Sequence, residues 1–367
     1  IITPFFASKA GKAAFKDWLE KRHKTIENLN NKWGTTYPSF EEAVNNSLLD
    51  YFAGAADNDH RQYDILEFGQ IMLIDFTRDF VDAYKSVDPT MLFQCRNWDL
   101  FGPVRAIDPR YSFLDSFGIN QYSLGHKGYD ITFREEAVKV KLISGIIGKA
   151  PYVSNFGFRS RSLDGATHGL VPNEDVKASL AADSWVAFSF IPEVAGTSYF
   201  TYFYKGNEGP FGIIKNRKGE PLPIYHAFKS VHSLLAQHNE EIALSDYAEK
   251  PKVYIFHGLD AIYDIRQKTW LEHTSMGWDL LEMNLNYGVI TDTAEFDPSI
   301  KPVIIANFHA YDKKLDTDIA SKLINYCEKG GTLVIGNAFG KYDRYLWPNT
   351  QIETALDKLR GIKVSEL

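Results

Sequence analysis

Apolar residues recur at helical spacing in two early stretches of the chain. Over 9–33, Ala13/Ala14, Trp18, Ile26 and Leu29 predict one helix, ended by Trp33-Gly34-Thr35-Thr36-Tyr37-Pro38 with its glycine and proline breakers. Over 63–87, Ile65, Phe68, Met72, Phe76, Phe80 and Tyr84 follow three- and four-residue steps, which predicts a helix with one buried stripe. Residues 39–62 between them read as loop with some helix, Gly54-Ala55-Ala56-Asp57-Asn58-Asp59 being polar and exposed. The pattern then changes to short apolar runs alternating with helices. Strands are predicted at 91–95, 115–121, 151–154 and 197–204, and helices at 132–147, 173–190 and 222–238. The acids Glu174 and Asp175 suit the positive end of the second of these helices. Alternation of this kind builds a parallel sheet. Four units do not close a barrel of eight. The sheet is therefore small and open, or half of a barrel lies upstream of residue 1.

A polar linker, 239–250, leads to a second α/β stretch. Strands at 252–257, 302–306 and 332–336 alternate with helices at 264–287 and 316–329, and Gly330-Gly331 caps the last helix. That alternation suggests a flavodoxin-like layered sheet. The expected division is thus 1–238, linker 239–250 and 251–367.

Composition narrows the function. A chain of 367 residues with 44% apolar content is long enough for two domains and a large core. A net charge of −7 without a basic tract argues against a nucleic-acid partner. No apolar run approaches the roughly 18 residues of a membrane span. Cys95 and Cys327 are far apart and imply no disulfide framework, and no Cys/His cluster has metal spacing. No cofactor is indicated: Gly336-Asn337-Ala338-Phe339-Gly340 follows a strand but lacks both the dinucleotide glycine spacing and the phosphate-loop lysine. Aromatics at 14% suit ring-faced ligands such as sugars, and equally suit a large core. The abrupt Ile1-Ile2-Thr3-Pro4 start and the strand-like Gly361–Leu367 end both look cut, and nothing visible indicates a compartment.

In parallel α/β proteins the carboxyl ends of strands form the mouth of the site. Here those ends carry Arg96-Asn97-Trp98, Asn120-Gln121-Tyr122 and Asn155-Phe156-Gly157, with Tyr202 and the loop acid Glu208 after the fourth strand. Asn155 also fits an ordinary strand exit, and Trp98 fits a core position as well as a sugar-stacking one. Glu208 and the arginines Arg159 and Arg161 fit solvated loop charges. The arginines would otherwise recognise a charged or sulfated sugar.

Three stretches resemble the microbial β-galactosidases of glycoside hydrolase family 42, or close relatives in the same barrel clan. They are Ala14–Leu19 with Thr25–Thr35, including Leu29-Asn30-Asn31-Lys32-Trp33-Gly34-Thr35; the strand ends at Asn120/Tyr122, Asn155-Phe156-Gly157 and Tyr199–Tyr202; and Leu323–Val334, including Gly330-Gly331-Thr332-Leu333-Val334. The resemblance implies the second half of a (β/α)8 barrel, strands five to eight. It is followed by a domain similar to glutamine amidotransferases without their catalytic residues, which supports trimers in that family.

The resemblance also implies retaining hydrolysis of a β-linked glycoside by two carboxyl groups about 5–5.5 Å apart. The acid/base glutamate would lie just upstream of Ile1. The nucleophile position falls on Asn155, where the clan has glutamate. An amide does not ionise and forms no glycosyl ester. Tyr122 would hydrogen-bond the nucleophile, and Tyr202 stands where the family usually has tryptophan. Arg96, Asn97, Trp98, Asn120, Arg159 and Glu208 complete the expected pocket. The alternative function is a non-catalytic carbohydrate-binding protein that keeps the pocket.

Overall fold

The computed structural model describes residues 8–52, 60–97, 108–121, 132–158, 171–189, 194–199, 212–214, 219–238, 251–258, 268–292, 302–306 and 317–335, with residues 343, 345, 347, 348, 350, 354 and 357. The predicted linker 239–250 lies outside them.

The first layer is helical. Helix α1 (Lys9–His23) starts where the Ser8 hydroxyl accepts the Gly11 N–H. It stops at Lys24, whose φ of 70° breaks the ladder, and Thr25 immediately caps α2 (Ile26–Trp33) by accepting the Asn28 N–H. The single helix expected over 9–33 is therefore two. The break falls at a lysine and a threonine, neither of which reads as a breaker. Gly34 closes α2 in the left-handed region. Helix α3 (Phe40–Phe52) is the helical part of the stretch expected as loop with some helix.

Helix α4 (Gln62–Lys85) confirms the long periodic segment and corrects its burial. Ile65 and Phe68 are buried, but Phe76, Phe80 and Tyr84 are 70%, 49% and 46% exposed. Val87, Met91 and Leu92, which follow in the chain, are exposed too. Periodicity says which side of a helix is apolar, not what covers it. Among the described residues, cover ends near Ile74, with Val81 the last buried residue of the helix.

Strands β1 (Gln94–Asn97), β2 (Ser116–Gln121), β3 (Tyr152–Phe156) and β4 (Gly196–Tyr199) form a parallel sheet in sequential order. A short 3₁₀ turn (Pro109–Phe113), α5 (Thr132–Ile147) and α6 (Glu174–Ser189) connect them, and α7 (Pro223–Gln237) follows. The first strand begins three residues later than expected. Right-handed crossovers in sequential order put the connecting helices on one face, and Phe117, Ile119, Val153 and Phe156 are buried against them.

The second sheet has order β6-β5-β7-β8: β5 (Val253–Phe256), β6 (Tyr287–Ile290), β7 (Val303–Ala306) and β8 (Thr332–Ile335). Helices α8 (Lys268–Glu282) and α9 (Thr317–Glu328) connect them. Strand β6 was not expected, because 264–287 reads as one helix. Asn284, at φ 55°, ends the helical path, and Gly288 lies within the strand. A Cβ at Gly288 would lie 2.5 Å from the Tyr254 ring, so the two strands approach only with glycine there.

One hydrophobic core runs through both sheets, from Phe117 and Val153 to Ile255, Tyr287 and Val289. Helix α5 is the shared wall. A Cβ at Gly145 would lie 2.5 Å from Val289 Cβ, and Lys141 Nζ donates to Asn286 Oδ1 at 2.9 Å.

Candidate active site

The parallel register places Arg96 beside Gly118, Asn97 beside Ile119, and Asn120 beside Asn155. Adjacent strands lie about 4.8 Å apart. Arg96, Asn97, Asn120 and Asn155 therefore gather at the carboxyl ends of three neighbouring strands. Trp98, Tyr122, Arg159, Tyr202 and Glu208 lie outside the described residues.

Strand β3 is irregular at the decisive position. Val153 pairs with Ile119 and Thr197, and Phe156 pairs with Gln121 and Tyr199. Each neighbour has one residue between those partners, while β3 has two, Ser154 and Asn155. This is a β-bulge, a device that re-aims the chain beside functional sites. It also explains how Val153 and Phe156, three apart, are both buried in the helix-side core. Apolar residues at that spacing within a strand were the available sign in the sequence.

The strand exits are braced from below. Phe156 packs against Trp185, Phe188 and Tyr199, with ring centroids 5.3–5.7 Å away. The Tyr199 hydroxyl accepts the Phe158 N–H at 3.3 Å and donates to the Phe158 carbonyl at 3.1 Å. Lys177, fully buried on the first turns of α6, donates to the Gly212 carbonyl at 2.8 Å and to Glu174 Oε2 at 3.1 Å. Burial pushes its pKa down while Glu174 opposes the shift. Lys177 thereby ties the helix after β3 to the chain after β4.

A second polar cluster was not foreseen. Asp64 on α4 is fully buried. Its Oδ2 takes His23 Nε2 and Trp33 Nε1, each at 2.8 Å. Its Oδ1 takes Arg22 Nε at 2.9 Å and the Tyr345 hydroxyl at 3.1 Å. Burial disfavours the Arg22 cation, yet Asp64 and Glu67 hold its pKa above the ordinary arginine range. Burial, and then the Asp64 charge, push the Tyr345 phenol upward. Two residues on, Trp347 stacks on His60 at 4.0 Å and donates to the Lys32 carbonyl. Nothing local in the sequence announces a partner some 280 residues away. Among the described residues no group of acids, histidines and cysteines could hold a metal, and no helix is long and apolar enough to cross a membrane.

Residues 4–154 match the glycoside hydrolase family 42 profile, described as "Beta-galactosidase". Over that stretch the chain is similar to glycoside hydrolase family 42. A β-galactosidase from Arthrobacter sp. is 34% identical over 91 residues, 23% of this chain and 12% of that protein. Among solved structures, the β-galactosidase of the Antarctic haloarchaeon Halorubrum lacusprofundi superposes with a TM-score of 0.72 at 17% identity, covering 95% of this chain and 53% of that one. The β-galactosidase of the psychrophilic Marinomonas ef1 gives 0.72 at 17%, covering 96% and 56%. A family 42 exo-carrageenase from Bacteroides ovatus gives 0.66 at 13%, covering 96% and 52%. These likenesses establish a shared α/β fold with parallel sheets. The chain spans about half the length of these solved structures.

Proposed function

We propose that residues 1–238 supply strands five to eight of a glycosidase (β/α)8 barrel, and that the protein acts on β-linked glycosides, β-galactosides foremost. Two findings support the half-barrel: strand order is sequential and all-parallel, and the solved relatives are about twice as long. The second sheet, read as amidotransferase-like, has strand order 2-1-3-4, which matches the start of the flavodoxin arrangement. Its proposed role is oligomer contact, in a trimer.

The observation that carries the site is the bulge at Ser154–Asn155, beside Asn120 at the carboxyl end of the sheet. In this reading Asn155 stands at the nucleophile position of a retaining mechanism. The acid/base glutamate would come from chain preceding Ile1. Tyr122, Trp98, Arg96, Asn97, Tyr202 and Glu208 would line the pocket. Arg159 would meet a charged substituent, an idea that the carrageenase relative makes worth testing.

With an amide at 155 this form would bind a glycoside without forming the covalent intermediate. The test is Asn155→Glu in a chain carrying the complete barrel. Aryl β-galactoside turnover in the variant, absent with Asn155, supports the enzyme reading. Sugar binding without turnover in both would favour the second reading, a non-catalytic carbohydrate binder, for which the amide itself speaks.

A further inference from the structure

We infer that Trp347 is a stacking platform for a β-galactoside. This sugar site is built from the end of α2, the residue His60 ahead of α4, and the residues Asp343, Tyr345 and Trp347. None of its members belongs to the strand ends. The galactoside class rests on the glycosidase reading; the platform itself does not. The indole ring is held on three sides. His60 lies against one face, with centroids 4.0 Å apart and planes only 9° from parallel. Nε1 donates to the Lys32 carbonyl at 2.8 Å. The benzo edge faces Gly34, where a Cβ would stand 3.2 Å from Trp347 Cζ2. Even so, Trp347 is 37% exposed, while Trp33, the last residue of α2, is 2% exposed. With one face on His60 and two edges engaged, that exposed area lies on the face away from His60. A ring that served only to staple its segment would be buried, as Trp33 is.

The backbone that carries the ring is also fixed. The Asp343 N–H donates to the Trp347 carbonyl at 2.8 Å, and Asp343 Oδ1 accepts the Tyr345 and Trp347 N–H groups at 2.9 and 3.0 Å. Tyr345 anchors this turn through its hydroxyl on Asp64 and its carbonyl at His60 Nδ1. A ring already held in place loses little freedom when a ligand settles on it. The polar groups beside it suit hydroxyls. Lys32 Nζ lies 3.9 Å from Asp343 Oδ2, too far for a hydrogen bond, and both side chains reach solvent. Among the described residues, this cation and carboxylate keep capacity to donate to and accept from a ligand. Their opposite signs favour a neutral ligand over an ion. A pyranose has C–H groups on its faces and hydroxyls around its edge, which matches an indole face bordered by polar groups. In galactose the axial hydroxyl gathers the hydrogens of three adjacent ring carbons on one face, which makes that face the apolar one.

Tryptophan-selective benzylation of the whole chain, read by peptide mass spectrometry, tests this residue by residue. β-1,4-Galactobiose should slow modification of Trp347 saturably, with half-protection at about 1 mM. Lys32→Ala keeps the carbonyl that holds Nε1 and removes the ammonium. It should raise the half-protection concentration about threefold, the scale of one solvent-exposed hydrogen bond. Absence of protection at Trp347 up to about 50 mM galactobiose overturns the inference. Protection of Trp18 in step with Trp347 would mark a change of the whole fold, and also overturns it. Equal protection by maltose, an α-glucoside, overturns the assignment to β-galactosides. The readout needs no turnover, so failure of the glycosidase reading would show separately, in the Asn155→Glu experiment.

Discussion

Asp64 shows what a single buried charge requires. It is fully buried and surrounded by four donors, one of them a guanidinium. Truncation would leave Arg22 in a largely buried site with Glu67 as its remaining carboxylate neighbour, and loss of one partner of a buried pair costs about 3–5 kcal/mol. Asp64→Ala should lower the melting temperature accordingly, measured by circular dichroism against Lys16→Ala, whose pair with Glu20 is exposed. The sequence gives no hint of this hub, because its members are scattered from residue 22 to residue 345. The strand-end asparagines are the opposite case. Asn97, Asn120 and Asn155 were legible as candidates because parallel topology alone brings strand ends together. What stayed hidden was the bulge, since pairing register depends on neighbours the sequence does not name.

Elements were legible where pattern and punctuation agreed. Helix α5 and strand β2 fall within a residue of expectation, while β6 was missed because the stretch 264–287, which runs into its first residue, reads as one helix. The contact between α5 and β6 is tight enough to test. A methyl at Gly145 would meet Val289 Cβ at 2.5 Å and its backbone oxygen at 2.7 Å, and the backbone has little room to yield. Gly145→Ala should destabilise by about 1–3 kcal/mol, read from denaturant midpoints, as overpacking does. The turn from α4 into β1 rests on Asp115, which accepts the Phe93 N–H at 2.8 Å and pairs with Lys85 at 2.9 Å. The Phe93 N–H, then the Lys85 hydrogen bond, hold its pKa below 3.8. Its contribution is therefore present above about pH 4 and fades as pH falls through the lowered native value. Exchange of the Phe93 amide should quicken below that point, and Asp115→Asn should abolish the pH dependence.

For the whole molecule, one continuous hydrophobic core reaches through both sheets, from Phe117 and Val153 to Ile255 and Val289. The half-bare stripe on α4 has the reverse meaning. Its apolar phase runs unbroken from Ile65 to Tyr84, but burial fades partway along. Beside it, β1 ends the sheet with one edge unpaired among the described strands. Such a surface is sticky. This chain should bind a polarity-sensitive dye strongly and self-associate at micromolar concentration, and Phe76→Ser with Leu92→Ser should reduce both. A dye-silent monomer would contradict that reading. The exposed Phe80 and Tyr84 lie 6.4 and 5.8 Å from Phe93, which leads into β1, so a segment that pairs with β1 should also dry this end of the helix. Dye release would then serve as a built-in gauge of closure, letting completion of the sheet be titrated in a cuvette without a substrate.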